Sequence, residues 1–410
     1  METFVDALRD RFGNSAYEFR LESFKKFLRA KPREYKESPT TKDYVSISED
    51  ELEILMGSSA EPVSASPLKG THSMSPGTDI QLFDGELRPV REISKVTIAD
   101  LNSVSCNANR GTEVFMRVGK EREEHLINAS WKNGYYVQIE DNAGKVNLDI
   151  ENVYSGNFSI PTKSFIECGD NNSVIITDSY SSVKDNSNVF GKNIYIVVGK
   201  NSKVTYNYIQ DKADHSTDIT FVRSFLSEGA EFMIFHLNSG SSKVIFHNES
   251  EMIGDNSTFR THGVSFSSDK QGMDIRDSSF QTGLSTHADI SVKGAVTGES
   301  ITMHRGNIDI EEASVQSTGF YDSKLLLLSD KAYANSKPAL IILNNNTRSK
   351  HGSAISSVDE EELFYLQSRG VDRNSARSII TEGFMVSAVE QSGSDRLINK
   401  VHELSRHVEL

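Results

Sequence analysis

The stretch CGDNNSVIITD, residues 168–178, consists of a small polar turn followed by a segment in which apolar and polar side chains alternate. Such alternation predicts a β-strand with one buried face. Three later segments repeat the layout: VGKNSKVTYNY (198–208), LSEGAEFMIFH (226–236) and IGDNSTFRTHG (253–263). The turns begin 30, 28 and 27 residues apart, at Gly169, Gly199, Ser227 and Gly254. Self-similarity at a nearly fixed period of this size is typical of a solenoid.

The repeating units contain strands and turns but no helical pattern, which favours a parallel β-helix in which each coil buries its apolar side chains against the next. The fold class that we predict is therefore mainly β, with a β-helix core flanked by N- and C-terminal helical segments. A β-sandwich is the alternative, but a strand zone from about 79 to 357 is long for one. Because a solenoid needs its ends covered, we expect the helical segments to cap it.

Four zones follow from the change in pattern along the chain. Residues 1–56 are helical, 57–78 form a linker rich in Ser, Pro and Gly, 79–357 form the β-helix core, and 358–410 are helical again.

Local signals mark the beginnings of helices. Ser48 with Glu51, and Asp359 with Glu362, have the spacing of capping boxes, in which a side chain at each position bonds the other's backbone N–H. Further upstream an apolar stripe has helical spacing, at Tyr17, Leu21, Phe24 and Leu28.

The composition limits the classes of partner and the cellular compartment that we expect. The chain has 410 residues and a formal net charge of -14, which argues against nucleic acid or an anionic membrane as the main partner, because both require a basic surface. No apolar run approaches the roughly 18 residues of a membrane span, and the first residues lack the pattern of a signal peptide. Only two cysteines occur, Cys106 and Cys168, without CxxC spacing. Scarce cysteine indicates a reducing compartment, so we expect a cytoplasmic protein.

Catalytic patterns are weak. A β-helix lyase or hydrolase would use clustered carboxylates, and the nearest groups are scattered acids that we expect to be solvated in turns: Asp269, Asp274, Asp277, Asp309, Glu311 and Glu312. His262, His287 and His304 are too far apart in sequence to predict a metal site. No nucleophile motif or phosphate-binding loop appears. We therefore favour a scaffold or binding protein over an enzyme.

A family resemblance rests on residues 325–384, LLLLSDKAYANSKPALIILNNNTRSKHGSAISSVDEEELFYLQSRGVDRNSARSIITEGF. The order LLSDKA, N.KP, HG, DEE.LFYL.SRG and GF resembles the C-terminal signature of the SufB/SufD family of iron–sulfur cluster assembly proteins. Weaker, colinear similarity occurs in QLFDGELRP (81–89), NASWKNGYYVQI (128–139) and YEFRLESFKKFLRAKPREY (17–35). The resemblance implies a parallel β-helix with helical ends, in agreement with the repeat.

Two positions indicate the branch of this family. SufB-like chains carry a cysteine in the strand before LLLSD and a Glu after the histidine, whereas this sequence has Ser323 and Gly352 there. The HG pair resembles the SufD pattern. The resemblance thus implies a SufD-like subunit that forms a heterodimer with a SufB-like protein and binds the ATPase SufC.

The same resemblance assigns His351, with Gly352 and Ser323, to the SufB contact where a cluster forms. Imidazole can replace thiolate as an iron ligand, so His351 is a candidate metal ligand shared with the partner. We expect the isolated chain to bind no cofactor and the complex to hold a transient iron–sulfur cluster. A β-helix lyase or hydrolase, and a SufB-like homodimeric scaffold, stay open as alternatives.

The C-terminal helices have a second implied role. In the family this region docks SufC, which points to Phe364, Tyr365, Arg369 and Phe384 as contact residues. Gly370 is placed to end the first helix and Asp372 to cap the second.

Overall fold

The fold is taken from a computed structural model. It describes residues 14–30, 45–57, 77–89, 91–104, 119–155, 159, 161–182 and 188–406. Most of the predicted linker, residues 58–76, lies outside these ranges, as do Cys106 and the first residues of the chain.

The described chain forms two long, mostly parallel sheets that face each other and wind into a solenoid of about seven turns. The strands are β1 (Ile80–Phe83), β2 (Glu86–Pro89), β3 (Val96–Asp100), β4 (Tyr135–Ile139), β5 (Lys145–Tyr154), β6 (Thr162–Cys168), β7 (Ser173–Ser182), β8 (Val189–Val198), β9 (Lys203–Lys212), β10 (Thr217–Leu226), β11 (Glu231–Gly240), β12 (Lys243–Met252), β13 (Thr258–Ser267), β14 (Gly272–Gln281), β15 (His287–Val296), β16 (Ile301–Ile310), β17 (Thr318–Leu327), β18 (Tyr333–Ile342) and β19 (Arg348–Ser357). Sheet 1 runs in the order β2, β1, then odd strands from β5 to β19, and sheet 2 in the order β3, β4, then even strands to β18. The predicted parallel β-helix is confirmed.

The recurring turn residues explain the period. At the corner before each sheet 1 strand from β5 to β17, one residue has a positive φ between 53° and 64°. These residues are Asn142, Asn171, Asn201, Gly229, Asn256, Ser285 and Gln316. Asn and Gly are the residues that adopt this left-handed conformation at least cost. Each coil therefore turns at the same point, and the next strand stacks in register.

Alternation within the strands fills the lumen, the space between the two sheets. Val174, Val204, Phe232 and Phe259, for example, come from successive sheet 1 strands and are at most 2% exposed. Each fully buried side chain of this size stabilises the fold by about 1.5–3 kcal/mol. The core is thus a continuous column that runs along the solenoid axis.

The first end of the solenoid is bordered by antiparallel strands. β1 pairs with β2 and β3 pairs with β4 in antiparallel ladders, outside the parallel coils. The β1–β2 turn consists of Asp84 and Gly85, both with positive φ, which is the pattern of a two-residue hairpin.

Helices lie on the outer faces of the sheets. They are α1 (Asn14–Arg29), α2 (Glu49–Gly57), α3 (Arg122–Ser130), α4 (Glu360–Ser368), α5 (Arg373–Val389) and α6 (Asp395–Arg406), with a 3₁₀ turn at Leu101–Ser103. In α1 the predicted apolar stripe is only partly right, because Leu28 is 52% exposed while Phe19, Phe24 and Phe27 are buried. The buried face also contains Arg20, whose guanidinium donates to the carbonyl oxygens of Ala129 and Trp131.

The Ser48–Glu51 capping box is present. The backbone N–H of Ser48 donates to the Glu51 carboxylate and the backbone N–H of Glu51 donates to the Ser48 hydroxyl. The same carboxylate forms an ion pair with Lys243 at 2.9 Å, which fastens α2 to sheet 2. At the second predicted box, Asp359 accepts from the N–H groups of Glu361 and Glu362, but among the described contacts no bond returns from the Glu362 side chain.

The expectation that the terminal helices cap the ends of the solenoid is wrong, because both sets of helices pack on its sides. Phe235, Val264 and other outward side chains of sheet 1 pack against Met385 and Val389 of α5 and Leu397 of α6. These helices bury their apolar faces on the side of the solenoid because the outward positions of β9, β11 and β13 are themselves apolar.

Candidate functional site

The last coil, which we define as residues 331–358, leaves two strand edges open. β18 pairs only with β16, and β19 pairs only with β17, so each has one unpaired edge in the part of the chain that the structure describes. Large apolar side chains are also exposed there: Tyr333 (37%), Ile341 (46%), Leu343 (55%) and Ile355 (43%). Unpaired edges with exposed apolar residues are typical of a surface that receives another strand.

His351 lies in the middle of β19 and is exposed. Its neighbour across the ladder is Tyr321 of β17, whose side chain points into the lumen and is 2% exposed. Partners in a parallel ladder point to the same side of the sheet, so the imidazole projects at the mouth of the lumen. The Tyr321 hydroxyl beneath it is buried and has no hydrogen-bond partner among the described residues.

Gly352 and Ser323 lie close to His351 but differ in accessibility. Gly352 is opposite Asp322, and a methyl group at Gly352 would meet only the Asp322 carboxylate, at 3.0 Å. Ser323 is opposite Ser353 and is fully buried one coil below the surface. The structure thus brings the three predicted residues together, with His351 alone at the surface and Ser323 enclosed.

His304 is a neighbour of the site that sequence reasoning did not select. Its Nε2 lies 2.9 Å from the Ser265 hydroxyl and its Nδ1 lies 3.2 Å from the Ser323 hydroxyl. Burial lowers the pKa of His304 to about 3, so the ring is neutral and one of its nitrogens donates while the other accepts. Gly294 lies against the same cluster, because a Cβ there would lie 2.5 Å from Leu325, 2.7 Å from the Ser265 hydroxyl and 3.1 Å from the His304 ring.

The second predicted surface lies on α4. Phe364 is 72% exposed and Tyr365 is 58% exposed, and Arg369 at the end of the helix is exposed as well. Leu363, by contrast, is 1% exposed and anchors the helix. Two neighbouring side chains therefore have opposite environments, and the large aromatic surface faces outward.

A cleft of about 440 Å³ lies between α4 and α5, and it extends the aromatic surface. Its lining consists of Glu361, Glu362, Tyr365, Leu366 and Ile380. Gly370, with φ 87°, ends α4, and the Asp372 carboxylate accepts from two N–H groups at the start of α5, as predicted.

Phe384 does not belong to this surface. It is half-buried on α5 and packs against the outer face of sheet 1, where the Lys293 ammonium lies 5.1 Å from its ring centre. Lys293 also donates to the Phe384 carbonyl oxygen. These contacts fasten α5 to the solenoid, and they separate Phe384 from the other three predicted contact residues.

The prediction that the scattered acids are solvated in turns is wrong for two of them. Asp274 and Asp277 lie within β14 and are at most 1% exposed. Asp274 accepts from the Arg305 guanidinium at 2.8 Å, and Asp277 accepts from Asn248 and lies 3.2 Å from His236 Nε2. The two are an odd number of residues apart in one strand, so they face opposite sides of the sheet and form no catalytic pair.

The other four acids are closer to the predicted environment, a solvated turn. Asp269 is a turn residue with positive φ and Glu312 is exposed, whereas Asp309 and Glu311 are half-buried. Burial, with the nearby Glu311 carboxylate, raises the pKa of Asp309.

The other candidate metal ligands are dispersed. His262 stacks on Phe235 on the outer face of sheet 1, His287 lies near Thr318 on the same face, and His304 is in the lumen. Cys168 is buried, and burial raises the pKa of its thiol to about 11. Within the described ranges no three His, Cys, Asp or Glu side chains converge in a metal-binding group.

None of the described helices is both long enough and apolar enough to span a lipid bilayer.

Comparison with known proteins identifies the family. A family model described as the SUF system FeS cluster assembly SufBD core domain matches residues 152–384, which is more than half of the chain. SufD of Bacillus subtilis is 24% identical over 290 residues, which cover 68% of this chain and 65% of that protein.

Two further relatives come from distant organisms. The SufBD family protein PH1385 of Pyrococcus horikoshii is 29% identical over 211 residues, 52% of this chain and 46% of that protein. ABCI7, a chloroplastic protein of Arabidopsis thaliana, is 26% identical over 202 residues, 48% of this chain and 42% of that protein. The chain thus matches less than two thirds of the length of each of these relatives. Since the core model spans most of the solenoid, the chain belongs to the SufBD family of the SUF system for iron–sulfur cluster assembly.

Proposed function

We propose that this chain is a SufD-like scaffold subunit that assembles iron–sulfur clusters together with a SufB-like protein and a SufC-like ATPase. It performs no reaction of its own. The cluster is cargo, held at the contact between the two scaffold chains, and we expect the assembly to be cytoplasmic.

The observation that carries the proposal is the exposed imidazole of His351 on a strand with an unpaired edge. A partner strand added to β19 would bring its own side chains beside the mouth of the lumen, where a single imidazole can complete an iron site. The described residues of this chain contribute no thiolate there, because Cys168 is buried in β6 at the other end. The partner would supply the remaining ligands.

The aromatic surface of α4 supports docking of the ATPase. Phe364 and Tyr365 are large side chains that are mostly exposed, and exposed aromatic residues are frequent anchors of protein interfaces. Closure of ATPase subunits bound to two scaffold chains would pull on their ends and rearrange the contact between them.

The role of His351 is tested with His351→Ala in the complex of the three proteins. We expect cluster yield, measured by absorbance and iron content after anaerobic reconstitution, to fall at least tenfold, while the melting temperature of the isolated chain is unchanged because the side chain is exposed. His215→Ala, which changes an exposed turn histidine far from the last coil, is the matched control. Cluster assembly by His351→Ala at the parent rate would contradict the assignment.

The docking surface is tested with two neighbouring residues of α4. Phe364→Ala should weaken binding of the ATPase by orders of magnitude, since an interface anchor contributes about 2–4 kcal/mol, and should leave the melting temperature unchanged. Leu363→Ala should do the reverse, because it removes a buried anchor at a cost of about 2–5 kcal/mol. Calorimetric binding and thermal unfolding of both variants separate the two effects. Unchanged ATPase affinity in Phe364→Ala would mean that the ATPase binds elsewhere.

A further inference from the structure

The lumen beneath the candidate site contains groups that can bind iron. His236 Nε2 on β11 lies 3.2 Å from the Asp277 carboxylate on β14, and that carboxylate also accepts a hydrogen bond from the Asn248 amide at 2.8 Å. His236 and Asp277 are each 1% exposed. Because imidazole and carboxylate are common ligands of ferrous iron, a scaffold that offers iron a single imidazole at its surface has to keep this pair out of reach.

One column of lumen side chains shows where the buried interior ends. Successive strands of sheet 1 place four residues opposite one another, in the order Thr261, Ile290, Tyr321 and His351. Thr261 and Ile290 are fully buried and Tyr321 is 2% exposed, whereas His351, one coil further, is exposed. Tyr321 is thus the outermost buried residue of this column.

The Tyr321 ring reaches across the lumen to sheet 2. A Cβ atom at Gly306 of β16 would overlap the ring, so the ring occupies the space that a side chain at this position would fill. Within sheet 2, Gly306 is the ladder neighbour of Asp277. Burial, together with the negative charge of Asp277, raises the pKa of Tyr321 well above its usual value. The ring therefore lies between the exposed imidazole of His351 and the coil that contains Asp277.

The neighbours of Tyr321 on β17 are too small to take the place of its ring. The lumen positions two residues before and after it are Gly319 and Ser323. Shortening Tyr321 to alanine would therefore leave a gap the size of an aromatic ring on the open side of Asp277, because the surroundings of a deleted core side chain collapse only in part.

We propose that the Tyr321 ring is the floor of the candidate site: it closes the lumen beneath His351, so that iron cargo meets this single imidazole and does not reach the His236–Asp277 pair. The inference rests on the proposed function, to which it adds a specificity-determining residue. Gly306 is a positioning residue, because it leaves the space that the ring occupies. The ring closes the lumen without help from its hydroxyl, so phenylalanine should serve as well as tyrosine.

Water access to each histidine of the isolated chain tests the floor. Deuterium exchange at the imidazole Cε1 atom is followed by mass spectrometry, with the exposed His351 as the fast reference. Tyr321→Ala should speed exchange at His236 by about tenfold, because water enters the lumen, whereas Tyr321→Phe should keep the parent rate. Gly306→Ala displaces the ring and should also speed exchange, which provides the test by a second route if Tyr321→Ala does not fold.

Ile290→Ala is the matched control. Ile290 is buried one coil below Tyr321 in the same column, so its loss makes a cavity but leaves the ring above it. This variant should be less stable than the parent and should keep the slow exchange at His236. An unchanged His236 rate in both Tyr321→Ala and Gly306→Ala, or an equal rise in Ile290→Ala, would overturn the floor.

Iron retention measures the consequence for the cargo. The isolated chain is loaded anaerobically with Fe(II), desalted and assayed for iron. Tyr321→Ala should retain more iron than the parent or Tyr321→Phe, and Asp277→Asn in the Tyr321→Ala background should remove the excess. Equal retention by Tyr321→Ala and the parent would overturn the specificity role. These readouts need no partner, so they are independent of the cluster yield of His351→Ala: parent-rate assembly by that variant would overturn the proposed function, while a failed floor would leave it standing.

Discussion

At the first end of the solenoid the outermost strands turn back as antiparallel partners, β2 on β1 and β3 on β4, whereas at the last end β18 and β19 simply stop. The outermost strands are therefore antiparallel to their neighbours at the first end and parallel to them at the last end, and all four pair on one side only among the described residues. Ile150 of the first coil is fully buried, but Ile355 of the last coil, which also points to the lumen side, is 43% exposed. Equivalent lumen positions are therefore covered at the first end and exposed to solvent at the last end.

Buried tyrosines repeat this contrast. Near the first end the hydroxyls of Tyr135, Tyr180 and Tyr206 all donate to the Asp178 carboxylate, at 2.5 to 2.8 Å. Near the last end the Tyr321 hydroxyl is equally buried and has no such acceptor among the described residues. A buried hydroxyl without a partner costs about 1–3 kcal/mol. The buried tyrosines of the two ends thus differ in whether the hydroxyl has an acceptor among the described residues.

The largest difference between the two ends should appear when one isoleucine is shortened at each. Ile150→Ala should lower the free energy of unfolding by about 2–5 kcal/mol, because it leaves a cavity in a closed core. Ile355→Ala should lower it by less than about 1 kcal/mol, because that side chain is partly in solvent already. Thermal and denaturant unfolding of the two variants measure the difference.

The two variants should rank in the opposite order when affinity for the SufB-like protein is measured instead of stability. Ile355→Ala should weaken the complex, whereas Ile150→Ala should leave the affinity of the folded fraction unchanged. Equal destabilisation by both substitutions in the isolated chain would mean that the last coil is covered in solution, which would end the contrast.

The fold could be predicted from sequence because its signals are local. A coil turns where one residue, most often Asn, takes a positive φ, and these turn residues recur at the period of the solenoid. The antiparallel pairing of β1 and β2 is also encoded locally, in the Asp84–Gly85 turn between them, a hairpin signal that our sequence analysis did not use. We expected helices to cap both ends because solenoids need caps, but the capping requirement does not specify which element meets it.

The candidate site is harder to predict from sequence than the fold, because the face of the sheet to which a side chain points depends on strand register. Asp274 and Asp277 look like a pair in the sequence, yet they face opposite sides of β14. The sequence around His304 indicates no particular role for it. The register of β16 against its neighbours places its side chain in the lumen beside Ser323. The family resemblance points to His351, whereas its position at the mouth of the lumen depends on the register of β19 against β17.

The smallest predicted effect, and the most specific, comes from removing one hydroxyl at each end. Tyr206→Phe should lower the free energy of unfolding by about 1–2 kcal/mol, because Asp178 loses one of its donors. Tyr321→Phe removes a hydroxyl that has no partner in the described chain, so it should leave the stability of the isolated chain unchanged or raise it by up to about 1 kcal/mol. Because the two substitutions are identical and both side chains are buried, the sign of the difference reports only on the surroundings of the hydroxyl. In the complex with the SufB-like protein, Tyr321→Phe should instead weaken binding, since the partner would lose a hydrogen-bonding group at the mouth of the lumen. A clear loss of stability in the isolated Tyr321→Phe chain would show that this hydroxyl already has a partner, and the contrast between Tyr206 and Tyr321 would then fail.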